Sequence, residues 1–315
     1  MSAFLFRCGR LPQPGTRTVA NERRTMSTEA AAQMRLEVVP SADLLGRLPL
    51  IFAAPGTVSV TCLPHHGPGK TVATSIELVR RGYHAVPHLA ARSIGSQAEL
   101  HTLLQRLIDE GITELFLVAG DRRTPAGPYS WSGDLMEEVK AFAPDMSVGV
   151  AGYPEGHPQF SAEQLRNSLE AKAPMATSLV TQMCFSADAI SQYLGALRRS
   201  GVRLPVWVGV PGPVSVKKLL AMGARLGVGR SLKLARGTGM ARALWRRGDM
   251  LDFDSARLIR EVQQKLANDP LFAGFHVYTF NDFDRLPGLL DSLPLLEPRS
   301  TPGIKRPQAL SPAKI

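Results

Sequence analysis

The stretch Gln97-Ala-Glu-Leu-His-Thr-Leu-Leu-Gln-Arg-Leu-Ile-Asp-Glu-Gly-Ile-Thr-Glu-Leu-Phe-Leu-Val118 decides the fold. Leu100, Leu103, Leu104 and Leu107 recur at spacings of three and four, which places one apolar stripe on an otherwise polar helix. Gly111 then ends that helix, because glycine accepts the left-handed conformation that a helix terminus requires. After a short turn, Glu114–Val118 reads as a strand, apolar and too short for another helix. Helix, glycine stop, strand: this is one unit of an alternating α/β chain.

The same alternation runs outward in both directions. Short β-branched runs predict strands at Leu36–Val39, Thr57–Thr61, Tyr83–Pro87, Glu114–Val118, Ser147–Ala151, Ser178–Thr181, Val206–Val210 and Phe275–Thr279. Between them, helices are predicted at Thr71–Arg81, Gln97–Glu110, Asp134–Phe142, Ala162–Ala173, Ala187–Ser200, Val214–Leu226, Asp254–Asn268 and Asp284–Leu293. Eight strands alternating with helices imply a parallel sheet. A doubly wound open sheet is the rival architecture, but no strand is followed by a GxGxxG turn. The expected fold is therefore an α/β protein of the (β/α)8 TIM-barrel type, and a chain of 315 residues suits one such barrel. Residues 34–297 form the expected barrel. Residues 1–33 and 298–315 lack apolar periodicity and are expected to be disordered extensions, the second of them Pro-rich and basic.

The net charge of +10 raises the question of a nucleic-acid partner. Residues 1–34 carry five Arg against Glu22 and Glu29, and residues 298–315 carry Arg299, Lys305, Arg306 and Lys314 with no acid. Most of the excess charge thus sits in the tails. No basic helix and no interleaving of aromatic with basic residues is present, so nucleic acid is not expected as a partner. A mildly basic body suits anionic small molecules. No apolar run approaches the roughly 18 residues of a membrane span, and no membrane association is expected. Cys8, Cys62 and Cys184 make neither a CxxC pair nor a disulfide framework, which points to a reducing, cytoplasmic compartment. The first 25 residues are nearly acid-free and carry Arg, Ser and Thr, the composition of a transit peptide. A disordered tail, or an upstream start with Met26 as the working one, is the plainer expectation.

Polar residues punctuate the strand ends, where a barrel places its catalytic groups. Glu37 lies inside strand one between Leu36 and Val38, and a carboxylate buried there is costly unless it has a purpose. Thr61 ends strand two, and His88 follows strand three. Asp121 comes three residues after strand four. Tyr153, Glu155 and His157 follow strand five, Gln182 strand six, Gly212 strand seven and Asn281 strand eight. A ring of such residues marks a site. Blander readings stand beside several of them: His88 as a satisfied core histidine, Asp121 as an ordinary turn or cap residue. His65-His66 finds no third ligand nearby and reads as a loop rather than a metal site. Cys184, Met183 and Trp207 read as packing residues.

The run Val148-Gly-Val-Ala-Gly-Tyr153-Pro-Glu155-Gly-His157-Pro158 closely resembles the strand-five signature AxYPExHP of the methylenetetrahydrofolate reductase family. Other matches occur in the family's order. Leu36-Glu37-Val38-Val39-Pro40 resembles its FEFFPP strand, Val58-Ser59-Val60-Thr61 its VSVTYG strand, and Val86-Pro87-His88-Leu89 its PHLT. Thr181-Gln182-Met183-Cys184-Phe185, followed by Asp188, is similar to TQxxFD, and Phe275–Asn281 to the terminal HFYTLN strand. Together they cover about residues 35–290; the regulatory domain of the larger eukaryotic enzymes has no counterpart among them.

The resemblance implies reduction of 5,10-methylenetetrahydrofolate to 5-methyltetrahydrofolate, with NAD(P)H as the reductant and FAD as the family's cofactor. The five-membered ring opens, and hydride is delivered to the exposed iminium carbon. Ring opening needs a proton on the leaving nitrogen, and Glu37 occupies the family's position for that acid. Gln182 matches the glutamine that holds the pterin or nicotinamide amide edge, and Asp121 the aspartate of the RGD segment. Thr61, His88, Asp134, Tyr153 and His157 match flavin contacts, and Lys172 matches one loosely, across a one-residue gap. The departures are specific. RGD reads Ala119-Gly120-Asp121 here, so a flavin-contacting arginine is absent, and Glu163-Gln164-Leu165 replaces an aspartate near the flavin ribose. FAD binding is weakened accordingly, and the hydride is expected to pass either via FAD or directly from nicotinamide to folate. The competing expectation is a folate-binding barrel with altered or lost reductase activity, serving methyl transfer or regulation. The joint presence of Glu37 and Gln182 favours the reductase. Homo-oligomerisation is compatible with either.

Overall fold

The computed structural model describes residues 33–213 and 254–292. Eight parallel strands close into a barrel in sequence order: β1 (Met34–Val38), β2 (Thr57–Val60), β3 (His84–Ala90), β4 (Glu114–Val118), β5 (Ser147–Gly152), β6 (Ser178–Thr181), β7 (Val206–Pro211) and β8 (Phe272–Tyr278). The helices are α1 (Leu44–Arg47), α2 (Gly67–Arg80), α3 (Gln97–Asp109), α4 (Ser132–Phe142), α5 (Ala162–Lys172), α6 (Ala187–Arg199), α7 (Ser255–Lys265) and α8 (Leu286–Ser292). The α/β barrel expected from the alternation is thus the one observed, with β4 and β6 at their predicted limits. The helix expected at Val214–Leu226 lies outside the described residues, as do Cys8 and nearly all of both expected extensions.

Helix α3 shows how the sequence builds the outer layer. The Ser96 hydroxyl accepts from the Glu99 amide at 3.1 Å, satisfying one of the first turn's orphan donors, and the Glu99 carboxylate accepts from the Gly95 amide at 2.6 Å, fixing the chain's entry into the helix. Leu100, Leu103, Leu104 and Leu107 are all buried, each contributing about 1.5–3 kcal/mol of burial. Gly111 takes φ +73°, the left-handed stop read from the sequence.

Strand periodicity of two divides the barrel wall into two faces. Leu36, Val38, Val58, Val60, Leu115 and Val150 belong to the large core shared with the helices. Val86, Phe116 and Val180, with Val118, Ala151 and Trp207 against them, form a separate cluster inside the barrel. Register then places Arg35 opposite Thr57 and His276, and Glu37 opposite Ser59 and Tyr278, all on that inner face. Below Glu37, Arg35 pairs with Glu114 at 2.6 Å and lies 3.9 Å over the Trp207 ring, closing the barrel floor.

Two differences from the sequence reading have physical causes. Strand β3 extends to Ala90, so His88 lies within the strand and not after it, as Leu89 and Ala90 continue the pairing with β4. Strand β8 begins at Phe272, ahead of the predicted Phe275, because Gly274 (φ +146°) sustains the pairing with β7 around an irregularity at Val206/Trp207. A Cβ on Gly274 would stand 2.4 Å from the Gln33 carbonyl and 2.9 Å from the Trp207 ring, so only glycine fits.

Candidate active site

Glu37 sits on the inner face of β1 with 14% of its side chain exposed. Its Oε2 lies 2.9 Å from His276 Nε2 on β8 and 3.9 Å from His88 Nε2 on β3. Burial pushes the Glu37 carboxyl up to about 7, against a smaller opposing influence of His88. Burial likewise pushes His88 down to about 4 and His276 down to about 3. Near pH 7 both imidazoles are therefore neutral: His276 meets Glu37 in a hydrogen bond rather than an ion pair, and His88 Nε2 stands beyond hydrogen-bond distance. A carboxyl in that setting can hold a proton at neutrality and release it.

The wall beside Glu37 is tightly fixed. The Tyr278 hydroxyl donates to the Thr181 carbonyl at 3.0 Å, tying β8 to the end of β6. Gln182 follows directly; its amide donates to the Gly152 carbonyl at 2.7 Å, and its own carbonyl accepts from Cys184 Sγ at 2.9 Å. Gly209 stands behind this crossing, where a Cβ would come within 2.3 Å of the Thr181 carbonyl. Burial pushes the Cys184 thiol far up, so it packs and does not act as a nucleophile. Asn281 reaches back to β1's exit: Oδ1 accepts from the Val39 amide at 2.9 Å, and Nδ2 donates to the Val39 carbonyl at 2.7 Å. It is a structural clasp.

The rim holds the other residues singled out in the sequence. Asp121 is exposed, yet the walls of the mouth desolvate it enough to raise its carboxyl. Burial and the charge of Asp121 raise the Tyr153 phenol, so the two sit within electrostatic reach. Tyr153, His157 and Phe160 form an aromatic ladder with ring centroids 5.3 and 4.8 Å apart. Glu155 accepts from the Phe185 and Ser186 amides at 2.8 Å each and so fixes the β5 loop to the start of α6.

Asp134 and Lys172 each bond to residues at the N-terminus of α4. Asp134 accepts from the Ser130 amide and hydroxyl and from the Trp131 amide and indole, a helix-capping role that occupies both its oxygens. Lys172 is 6% exposed, and its Nζ donates to Ser132 Oγ at 3.3 Å. Burial pulls its ammonium down. An ammonium beside a helix N-terminus, with one long bond, suits an anionic group of a ligand. Two buried atoms in the mouth, Thr61 Oγ1 and His88 Nε2, also lack a hydrogen-bond partner. These three fit a polar ring carrying phosphate, whereas Asp134 spends most of its bonding on the cap.

His276 and Tyr278 were missed as site residues in the sequence, although Phe275–Asn281 was singled out there. The available signal was the alternation of β8, which puts both on the face that carries Arg35 and Glu37. Among the described residues, no group of three His, Cys, Asp or Glu is placed to hold a metal ion, and no helix is long and apolar enough to cross a membrane.

The family model described as methylenetetrahydrofolate reductase matches residues 43–233, more than half of the chain. The chain belongs to the methylenetetrahydrofolate reductase family. Curated relatives agree. The 5,10-methylenetetrahydrofolate reductase of Pectobacterium carotovorum is 28% identical over 176 residues, covering 53% of this chain and 56% of that protein. The Escherichia coli enzyme of the same name is 28% identical over 144 residues, covering 43% and 46%. Methylenetetrahydrofolate reductase 2 of Saccharomyces cerevisiae is 23% identical over 160 residues, covering 49% and 26%. The chain thus spans about half the length of its bacterial relatives and a quarter of the yeast one. Among solved structures, an uncharacterized Clostridium thermocellum protein, described as binding two copies of 5-methyl-5,6,7,8-tetrahydrofolic acid, superposes with a TM-score of 0.61. It is 12% identical and covers 82% of this chain and 93% of its own, a likeness of fold. The family match begins at residue 43, so Glu37 on β1 and His276 on β8 both lie outside it.

Proposed function

We propose that this chain reduces 5,10-methylenetetrahydrofolate to 5-methyltetrahydrofolate with electrons from NAD(P)H, and that Glu37 donates the proton on which ring opening depends. The observation that carries the reading is the lone carboxyl on the inner face of β1, pushed up to about 7 by burial. It is protonated below that value and so available as a general acid near neutrality. Gln182, at the exit of β6, presents an amide able to donate and accept at once, and we assign it to the edge of the pterin or nicotinamide ring. Asp121 on the rim completes the proposed catalytic set.

Thr61, His88, Tyr153, His157 and Lys172 are the residues that would hold a nicotinamide or flavin dinucleotide. That group, when bound, supplies the hydride. Asp134 shapes its surroundings by capping α4. The free thiols Cys62 and Cys184 agree with a reducing, cytoplasmic setting.

The test is Glu37→Gln, which keeps the shape and removes the proton. Folate binding should persist while turnover falls about a hundredfold or more; near-wild-type turnover would overturn the reading. A second reading, folate binding without reduction in the service of methyl transfer or regulation, takes support from the Clostridium barrel described as binding 5-methyltetrahydrofolic acid. The same assay separates the two, since a binder takes up folate without oxidising NADH or NADPH.

A further inference from the structure

Glu37 does not meet its two imidazoles symmetrically. His276 Nε2 and His88 Nε2 both approach the same oxygen, Oε2, at 2.9 and 3.9 Å. Among the described residues, no hydrogen bond reaches Oε1. One oxygen of the acid is held and the other is left open.

The direction of the short bond follows from what surrounds His276. The residue is 1% exposed, and its Nδ1 is buried without a partner. A proton on Nδ1 would bury an N–H that has no acceptor, whereas a proton on Nε2 leaves only an unfilled lone pair. Orphaned buried N–H groups are the rarer and costlier of the two. Arg35 stands opposite His276 in the β1–β8 register, and its charge acts on the imidazole. A guanidinium there also favours a lone pair at Nδ1 over an N–H. Both arguments put the proton on Nε2, pointing at Glu37.

The contact is rigid as well as directional. The Glu37 carbonyl accepts from the Thr279 hydroxyl at 2.6 Å and from the Thr279 amide at 3.2 Å, so the ends of β1 and β8 are locked together. The other groups facing this carboxyl are His88 from β3 and Tyr278 from β8, with uncharged Ser59 from β2. On β1 itself, Arg35 is already paired with Glu114 from β4.

We propose that His276 is a positioning residue for Glu37: its Nε2–H holds Oε2, so that the acid proton is carried on Oε1, the open oxygen. A donor on one oxygen also favours the carboxylate form. His276 therefore tempers the rise that burial imposes and keeps the acid able to give up its proton near neutrality. The consequence for turnover rests on Glu37 being the proton donor; the geometry of the pair does not.

The test follows the Glu37 side-chain carboxyl carbon by NMR in the full chain labelled with 13C-glutamate, the signal assigned by its loss in Glu37→Gln. In His276→Leu the titration midpoint should move upward by about one pH unit or more, the loss of one hydrogen bond to a charged group. In His276→Gln, whose amide N–H can reach the same oxygen, most of that shift should disappear. The descending limb of kcat against pH should move in parallel, with KM for folate little changed. If His276→Leu does not fold, His276→Asn, too short to reach Oε2, should give the same upward shift. An unmoved midpoint overturns the proposal, and so does a downward one, which would make His276 an acceptor. If the shift appears while Glu37→Gln keeps its turnover, the positioning stands and the proton-donor reading falls. If Glu37→Gln is inactive and the shift is absent, the reverse holds.

Discussion

Burying Glu37 should leave a signature in the stability of the protein that needs no substrate to detect. The carboxyl's ordinary value of 4.5 is raised to about 7 in the folded chain. Between those limits the unfolded chain has lost the proton while the folded one retains it. The folded state then binds more protons, and stability falls as pH rises through this window. At about 1.4 kcal/mol per pH unit, the full effect is about 3 kcal/mol, present below pH 4.5 and lost above pH 7. Glu37→Gln cannot titrate, so the variant should gain on the wild type by about that amount between pH 4.5 and 8. Near 60 °C this corresponds to a relative change in Tm on the order of 5 °C.

The two imidazoles titrate in the same range, so their contribution has to be separated. His88 and His276 are both held neutral by burial, at about 4 and about 3. Each therefore loses stability as pH falls below the ordinary histidine value, in both proteins alike. The charge of Glu37 could disturb that cancellation, but below pH 7 the wild-type carboxyl is itself largely protonated. The difference between the two proteins thus isolates Glu37. Urea unfolding of both at pH 5, 6, 7 and 8 measures it. A difference flat to within about 0.5 kcal/mol would refute the reasoning, since it would mean that the carboxyl is solvated in the folded state.

Three further outcomes are expected. Gln182→Ala should raise the KM for folate about five- to a hundredfold, the loss of one or two hydrogen bonds worth about 1–3 kcal/mol; an unchanged KM in steady-state assays removes Gln182 from the site. Asp134→Ala should destabilise the chain by about 1–2 kcal/mol through the lost cap, read by urea unfolding without any cofactor, whereas a cofactor role alone predicts no change. The protein should purify colourless or substoichiometric in FAD and follow sequential kinetics, because Ala119 stands where the family has an arginine and a charge-assisted contact is worth about 1.5–3 kcal/mol. One tightly held FAD with ping-pong kinetics, seen by absorption spectrum and initial rates, would show that other residues replace it.

Features set by local chemistry were legible in the sequence. The leucine stripe of α3 and its Gly111 stop depend only on spacing and on the backbone freedom of one residue, and both stand as read. The ends of β4 and β6 were fixed by the change from apolar residues to Ala119-Gly120 and Gln182. What was misplaced depended on a neighbour. The continuation of β3 through His88 needs β4 beside it, since nothing local distinguishes Leu89-Ala90 from a loop. The early start of β8 likewise depends on what surrounds Gly274, where the carbonyl of Gln33 and the ring of Trp207 leave no room for a side chain.

The same distinction explains the site. Glu37 stood out within its own strand, because a carboxyl among aliphatic residues is costly wherever it lies, and the family resemblance supplied its expected role. Its partner could not, because His276 is 239 residues away and acquires its meaning from the β1–β8 register. Asp134 is the converse case. The family resemblance implied a cofactor contact, but its four hydrogen bonds all run to Ser130 and Trp131, which gives it a capping role in the protein alone. Lys172 has one long bond and a buried charge, so the case for an anion at the start of α4 rests on the lysine. Thr61 and His88 in the mouth, and Lys172 at the start of α4, keep bonds to spare and are therefore the ones on which a cofactor would depend, while residues engaged with the backbone hold the walls in place.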